Sequence, residues 1–273
     1  MIQGFYTAKT ALRHRQIGMD VLSNNFSNVN TDTYKKNNAT FQDALYNLTM
    51  KQYPGGERNF YQIGSGAFIS NIGKDFSQGP LKETGENLDL ALEGAGFFGI
   101  NDDNGNIFFS RGGSYSFTPS EENPGSKHIA NNMGYYLIDT EGQRIVIPDD
   151  NLGYNIGSDG VVSYRIRREL TEQQILDGES EIVTINQSFM LVNFNDPSNL
   201  ASFGEGIYGV SDLSGGPFAT ERATVRTGFL EGSNVDLSKE MVDLILHQRI
   251  FELNARIIQT VDEMESLSNN LRK

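Results

Sequence analysis

The chain has 273 residues, 37% hydrophobic and 21% charged, enough for a real core in one large domain or two modest ones. It has no cysteine and three widely spaced histidines, His14, His128 and His247. That excludes disulfides, thiolate metal sites and a Cys nucleophile, and leaves little for imidazole chemistry. The net charge of −13 is uneven: residues 1–58 carry seven Lys and Arg against four Asp and Glu, residues 228–273 five against eight, and the middle holds the rest. An acidic middle of this kind argues against DNA or RNA as a partner. No apolar run approaches the eighteen or so residues of a bilayer span, and no basic, apolar and small-residue leader opens the chain. Neither membrane insertion nor a cleaved signal peptide is expected.

The first element is a long helix. Phe5, Leu12, Met19 and Phe26 recur every seven residues, as do Ala8, Arg15, Leu22 and Val29. This coiled-coil-like pattern, uninterrupted by proline before Pro54, predicts a helix of about 25 residues. It runs into the asparagine-rich stretch Asn24-Asn25-Phe26-Ser27-Asn28-Val29-Asn30. Asparagine tolerates the left-handed conformation at helix ends and bonds bare carbonyls, so a capped helix and a turn are expected there. Asn24 and Asn28, one helical turn apart, also share a face open to a neighbouring chain.

The middle has another texture. Short alternating or apolar runs, Leu88–Leu92, Ile107–Phe109, Tyr135–Ile138, Arg144–Ile147, Gly160–Tyr164 and Phe189–Phe194, are separated by Asn104-Gly105, Glu141-Gly142, Asp159-Gly160 and Asp196-Pro197. These are strands and turns of a mostly antiparallel β domain. Residues 169–176 read as a short helix or a solvated insertion within a longer 165–187 stretch. Gly94–Gly99 and Gly204–Gly209 both match G-x-G-x-x-G, but no helix follows either to hold a pyrophosphate. Asn101–Asn106 resembles a calcium loop in composition alone. No catalytic, metal or cofactor-binding set emerges.

The last element is a second long helix, with Asp236 its expected N-cap. Ile250, Ile257, Met264 and Leu271, accompanied by Leu246, Leu253 and Leu267, make one apolar row. Leu237, Leu244, Phe251 and Ile258 make another. A helix with two apolar rows must be covered from more than one side, and one long helix at each end supplies too little surface. Either the ends fold back on the middle or other copies complete them.

Three blocks together resemble the family of bacterial flagellar rod and hook proteins. The first is Ala8–Leu12 with Asp20–Thr31 and Tyr34-Lys35, similar to a helix closing on Asn-Asn-x-x-Asn. The second is Asn87–Phe98, similar to the strand pair opening the family's β domain. The third is Leu230–Asp236 with Glu240-Met241-Val242, Gln248–Glu252 and Ile258–Met264. Thr33 stands where relatives commonly carry glycine. Size favours a rod subunit, and residues 46–64 resemble the connector of distal-rod members; a hook or a proximal-rod subunit is the alternative. A β-rich extracellular hydrolase, the rival class, lacks a catalytic constellation.

The resemblance implies a non-enzymatic, cofactor-free subunit of the flagellar basal body, exported through the flagellar apparatus without a cleaved signal. It implies helical self-assembly into a tube with neighbouring rod and hook proteins. The fold class expected is α+β, with a discontinuous helical domain from residues 1–35 and 233–273, connectors at 36–75 and 218–232, and a β-rich domain at 76–217. The implied subunit-contact residues are Phe5, Leu12, Met19, Leu22, Asn24, Asn25, Phe26 and Asn28 on the first helix. On the second they are Leu244, Leu246, Ile250, Phe251, Leu253, Ile257, Ile258 and Met264.

Overall fold

The computed structural model describes residues 2–43, 47–52, 58–63, 67–120, 123–167, 182–220 and 223–270. Side chains are described for all of these except 2–6, 43, 47–52, 58–63, 67, 265, 268 and 269. The stretch 169–176 lies outside the described residues. The chain forms two units: Met1–Val29, Lys36–Asp75 and Val235–Lys273 make the first, and Asn30–Lys35 with Phe76–Asn234 the second.

In the first unit, helix α1 (Ile2–Ser27) packs on α2 (Leu237–Asn270). Asp236 caps α2 as expected: its carboxylate accepts from the amides of Ser238 at 2.9 Å and Lys239 at 3.3 Å, two of the donors every helix start leaves bare. At the other end of α1, the Asn28 amide donates to the Asn24 carbonyl at 2.8 Å and the Ser27 hydroxyl to that of Ser23 at 2.9 Å. The asparagine run therefore closes the helix by covering its last carbonyls. The stretch 36–75 folds as four strands, β1 (Asn37–Asp43), β2 (Asn47–Gln52), β3 (Arg58–Ile63) and β4 (Ala67–Lys74). β1 pairs antiparallel with β4, with a register break between Thr40 and Phe41, and β2 pairs with β3.

The second unit is built from short strands. Its first half comprises β5 (Leu81–Glu83), β6 (Asp89–Glu93), β7 (Phe97–Asn101), β8 (Ile107–Ser110), β9 (Gly112–Pro119), β10 (Ser126–Asn131), β11 (Tyr136–Leu137) and β12 (Val146–Pro148). Its second half comprises β13 (Tyr154–Ile156), β14 (Val161–Arg167), β15 (Ile182–Ser188), β16 (Leu191–Asn193), β17 (Ala201–Gly204), β18 (Ile207–Gly209), β19 (Phe218–Ala219), β20 (Thr224–Thr227) and β21 (Phe229–Glu231). The main sheet runs β17-β18-β8-β7-β11-β10-β9-β6-β20, with β12 added on β10, β16 on β7 and β19 on β16. A smaller sheet, β13-β14-β15, and the pair β21-β5 complete it.

One turn design recurs. Asp102, Asn131 and Asp139 each use a side-chain oxygen to accept from the amides two and four residues on, at 2.8–3.0 Å. The glycine three residues on is left-handed in each: Gly105, Gly134 and Gly142, with φ 82°, 84° and 82°. Such a turn with a left-handed glycine feeds the strands back at the natural twist.

β7 reads Phe-Phe-Gly-Ile-Asn and is buried throughout. Successive side chains of a strand point to opposite faces, so its two phenylalanines serve two cores. Phe98 joins Leu90, Leu92, Ile100, Ile129 and Val162. Phe97 joins Phe109, Phe194, Leu200 and Tyr208, with edge-on ring pairs at 5.0–6.0 Å. A central strand with apolar residues on both faces is what an adjacent Phe-Phe pair demands.

Candidate assembly surface and a buried ion cluster

On α2 burial cuts across the two apolar rows: Ile250 of the first is half-buried, and Leu237 of the second is 42% exposed. Leu244, Ile250, Phe251 and Ile258 are half-buried, as are Leu12, Met19 and Leu22 on α1. Leu246, Leu253, Ile257, Met264 and Leu267 stay exposed, between 48% and 62%, and Phe26 is 41% exposed. Five large apolar side chains at helical spacing on one face form a stripe, not a scatter of isolated surface residues. Asn24 is exposed and Asn28 half-buried. Phe5 lies on α1, outside the described side chains.

Asn25 differs from its neighbours. It is 1% exposed and its partners lie in its own chain. Its amide donates to the Asn37 carbonyl at 2.9 Å and to Glu240 at 3.3 Å, while its oxygen accepts from the Asn37 amide at 2.8 Å. Glu240 is itself buried, with Lys36 at 3.9 Å. One side chain thus ties the end of α1 to the start of β1 and the first turn of α2. The apolar period marks this position as surface; the amide's own chemistry decides otherwise.

Where α1 and α2 approach, Gly18 leaves the room. A Cβ there would meet His247 and Phe41 at 3.0 Å. The Arg15 guanidinium lies over the Phe41 ring at 4.6 Å, and the His247 ring is tilted against Phe41 at 5.9 Å. Burial lowers the His247 pKa below the ordinary imidazole range; Arg15 adds to the shift and Asp243 opposes it.

In the second unit an ion cluster is buried almost completely. Glu231, 0% exposed, accepts from Lys35 at 2.7 Å and from Arg111 Nε at 3.2 Å. It also accepts from the Gly79 amide at 2.9 Å. The second cation's surplus charge is spread over oxygens: Lys35 donates to the Ser77 carbonyl at 2.7 Å, and Arg111 donates to the carbonyls of Gly94 and Gly96 at 2.7 and 2.8 Å and to Gln78 at 3.0 Å. The first G-x-G-x-x-G is thereby explained: its glycines turn carbonyls toward a guanidinium, and β7 follows instead of a helix. Burial raises the Tyr208 pKa, and the Glu231 charge raises it further, so the phenol stays neutral.

None of these three ions stood out as a site residue in the sequence. Lys35 and Glu231 do lie inside two of the three blocks that carry the family resemblance, whereas Arg111 has no sequence signal. Next to them, Thr33 takes the left-handed φ of 61° and donates its amide to the Glu231 carbonyl at 2.7 Å. The expected glycine position is therefore left-handed here too, with a β-branched residue in it. Among the described residues no group of three or more His, Cys, Asp or Glu is placed to hold a metal, and no helix is long and apolar enough to cross a membrane.

A two-unit chain with an exposed apolar stripe on a terminal helix offers a surface for assembly. Family models agree along the chain: "Flagella basal body rod protein" over residues 5–35, "Flagellar hook protein FlgE/F/G D1 domain" over 91–164 and "Flagellar basal body rod FlgEFG protein C-terminal" over 226–271. It is 34% identical to the flagellar basal-body rod protein FlgG of Buchnera aphidicola subsp. Schizaphis graminum, over 97% of each chain. It is 31% identical to the FlgG of Bacillus subtilis and 28% to that organism's flagellar hook-basal body complex protein FlhP, over all of each chain. The chain belongs to the flagellar basal-body rod and hook protein family. Its class is structural, its place the flagellar basal body, and its fold α+β with two terminal helices and a mostly antiparallel middle.

Proposed function

We propose that this chain is a distal-rod subunit that assembles helically into a hollow axle around the export channel and transmits torque through it. The observation that carries the reading is the exposed row Leu246, Leu253, Ile257, Met264 and Leu267 on α2. Each such side chain gains roughly 1.5–3 kcal/mol when fully buried, and a second copy packed on the face that α1 leaves open would bury the whole row. In this reading copies of the chain pack coiled-coil-like through residues 1–35 and 233–273, while 76–217 supplies the β-rich outer domain and 36–75 and 218–232 connect them. Leu12, Met19, Leu244, Ile250, Phe251 and Ile258 then hold the helix pair together. Phe5, Phe26, Asn24, Asn28 and the exposed row meet neighbours, and Asn25 positions the end of α1.

The subunit reaches the axle through the flagellar export apparatus and has no turnover of its own. Its neighbours along the axle are other rod and hook proteins. A tagged copy viewed by electron microscopy in isolated basal bodies tests the reading: label on the distal rod supports it, and label confined to the hook or proximal rod moves the subunit to that station. Label absent from the axial structure overturns it.

A further inference from the structure

Glu231 lies 196 positions from Lys35 and 120 from Arg111, yet one carboxylate bonds both. All three are essentially without solvent, with side-chain exposures of 0%, 0% and 2%. Removing one partner of a buried ion group is costly because it strands the others, whereas exchanging the whole group for apolar residues is often neutral or stabilising. Arg111 sits at the corner between β8 and β9, where Gly112 brings the chain so close to β6 that a Cβ would lie 2.3 Å from the Leu90 carbonyl oxygen. The β6–β9 pairing starts beside that corner, with Ala91 opposite Gly112. Placing this strand pair thus places the guanidinium in the interior.

We infer that Glu231 gates closure of the β-rich unit: residues 76–230 stay open until the chain through residue 231 arrives, because Lys35 and Arg111 cannot be buried without the carboxylate they share. The device differs from simple loss of a last strand. β21 is three residues long and, among the described residues, pairs only with the three of β5, a small contribution to the sheet. The cations turn its arrival into a condition. A chain lengthening from its N-terminus holds both cations long before the anion, so the open state persists through most of its growth. An ion pair this distant in sequence closes a long loop, so its formation belongs to the rate-limiting step of folding.

Refolding and unfolding rates of the full chain, followed by tyrosine fluorescence across a urea series, test this. Glu231→Gln is expected to refold more than about tenfold slower with its unfolding rate nearly unchanged, because the pair is already needed in the transition state. The triple variant Lys35→Met/Arg111→Met/Glu231→Met is expected to refold within about threefold of the native rate. If Glu231→Gln does not fold at all, refolding of the triple variant by itself supports the gate. Refolding of Glu231→Gln at the native rate overturns it. So does a triple variant that fails to fold or is as slow as Glu231→Gln, since packing and not stranded charge is then what was lost.

Discussion

Asn25 and Glu240, 215 positions apart, share a buried hydrogen bond of 3.3 Å that joins the last turn of one helix to the first turn of the other. Glu240 also sits in the first turn of α2, where a carboxylate is favoured by the helix dipole. Asn25→Ala leaves the Asn37 amide and the Glu240 carboxylate short of a partner. The helical signal should then melt at lower urea, with a loss of about 2–3 kcal/mol. Asn25→Asp should be worse, since it faces Glu240 with a second carboxylate. Equal stability of all three chains would show that the contact carries no weight.

Thr33 occupies a backbone conformation that costs an L-residue roughly 1–2 kcal/mol, part of which glycine returns as extra unfolded-chain entropy. Thr33→Gly should therefore raise the stability of the β-rich unit by about 0.5–1 kcal/mol. The opposite change nearby should harm it: Gly206→Ala puts a Cβ 2.6 Å from the Thr33 hydroxyl, at a φ of 76°. Thermal melts of both variants check the two signs together.

Neighbouring residues of α2 separate folding from assembly. Ile257 is exposed and Ile258 half-buried. Ile257→Asp should leave the free subunit within about 0.5 kcal/mol of the native chain, yet abolish rod assembly and motility. Ile258→Asp should unpack the helices of the free subunit itself, at a cost of about 2–3 kcal/mol. Circular dichroism of the purified chains and motility of the strains give the two readouts. An Ile257→Asp chain that melts much earlier would mean that its row is already covered within one subunit.

His247 makes the helix pair sensitive to acid. Its folded pKa lies below the ordinary 6.5, so between the two values the unfolded chain binds more protons. The stabilisation is present above pH 6.5 and lost as pH falls through the folded value. Amide protection of α1 and α2 should drop between pH 7.5 and 5.5. His247→Phe should flatten that dependence, and Arg15→Met should raise the His247 pKa measured by proton NMR. An unchanged profile in His247→Phe would assign the effect to other groups.

Both helices, the Asp236 cap and several of the strands were legible because each rests on local signals: period, caps and Gly-containing turns. The turn at Asn131 was as regular as its siblings yet went unread, because its glycine follows the apolar Met133, whereas Gly105 and Gly142 follow the polar Asn104 and Glu141. Asn25 was misleading for a related reason. Its place in a run of like residues suggests shared exposure, but burial depends on Asn37 and Glu240, which no periodicity connects to it. The Lys35–Glu231–Arg111 cluster is the extreme case. Three charged residues in unrelated contexts read as solvated until the fold brings them together.

The hydrogen bond from the Gly79 amide to Glu231 also sets how such a chain is able to diversify. The segment that enters the β-rich unit and the segment that leaves it are held side by side, so everything between them behaves as a cassette with adjoining ends. A cassette of that kind tolerates enlargement, trimming or wholesale exchange, because whatever replaces it needs only to present two neighbouring termini. Lineages are free to rebuild the β-rich unit while the paired helices keep their packing. Variation between relatives should therefore fall mainly within residues 76–230, and chimaeras spliced at Phe76 and Glu231 should be the ones that fold.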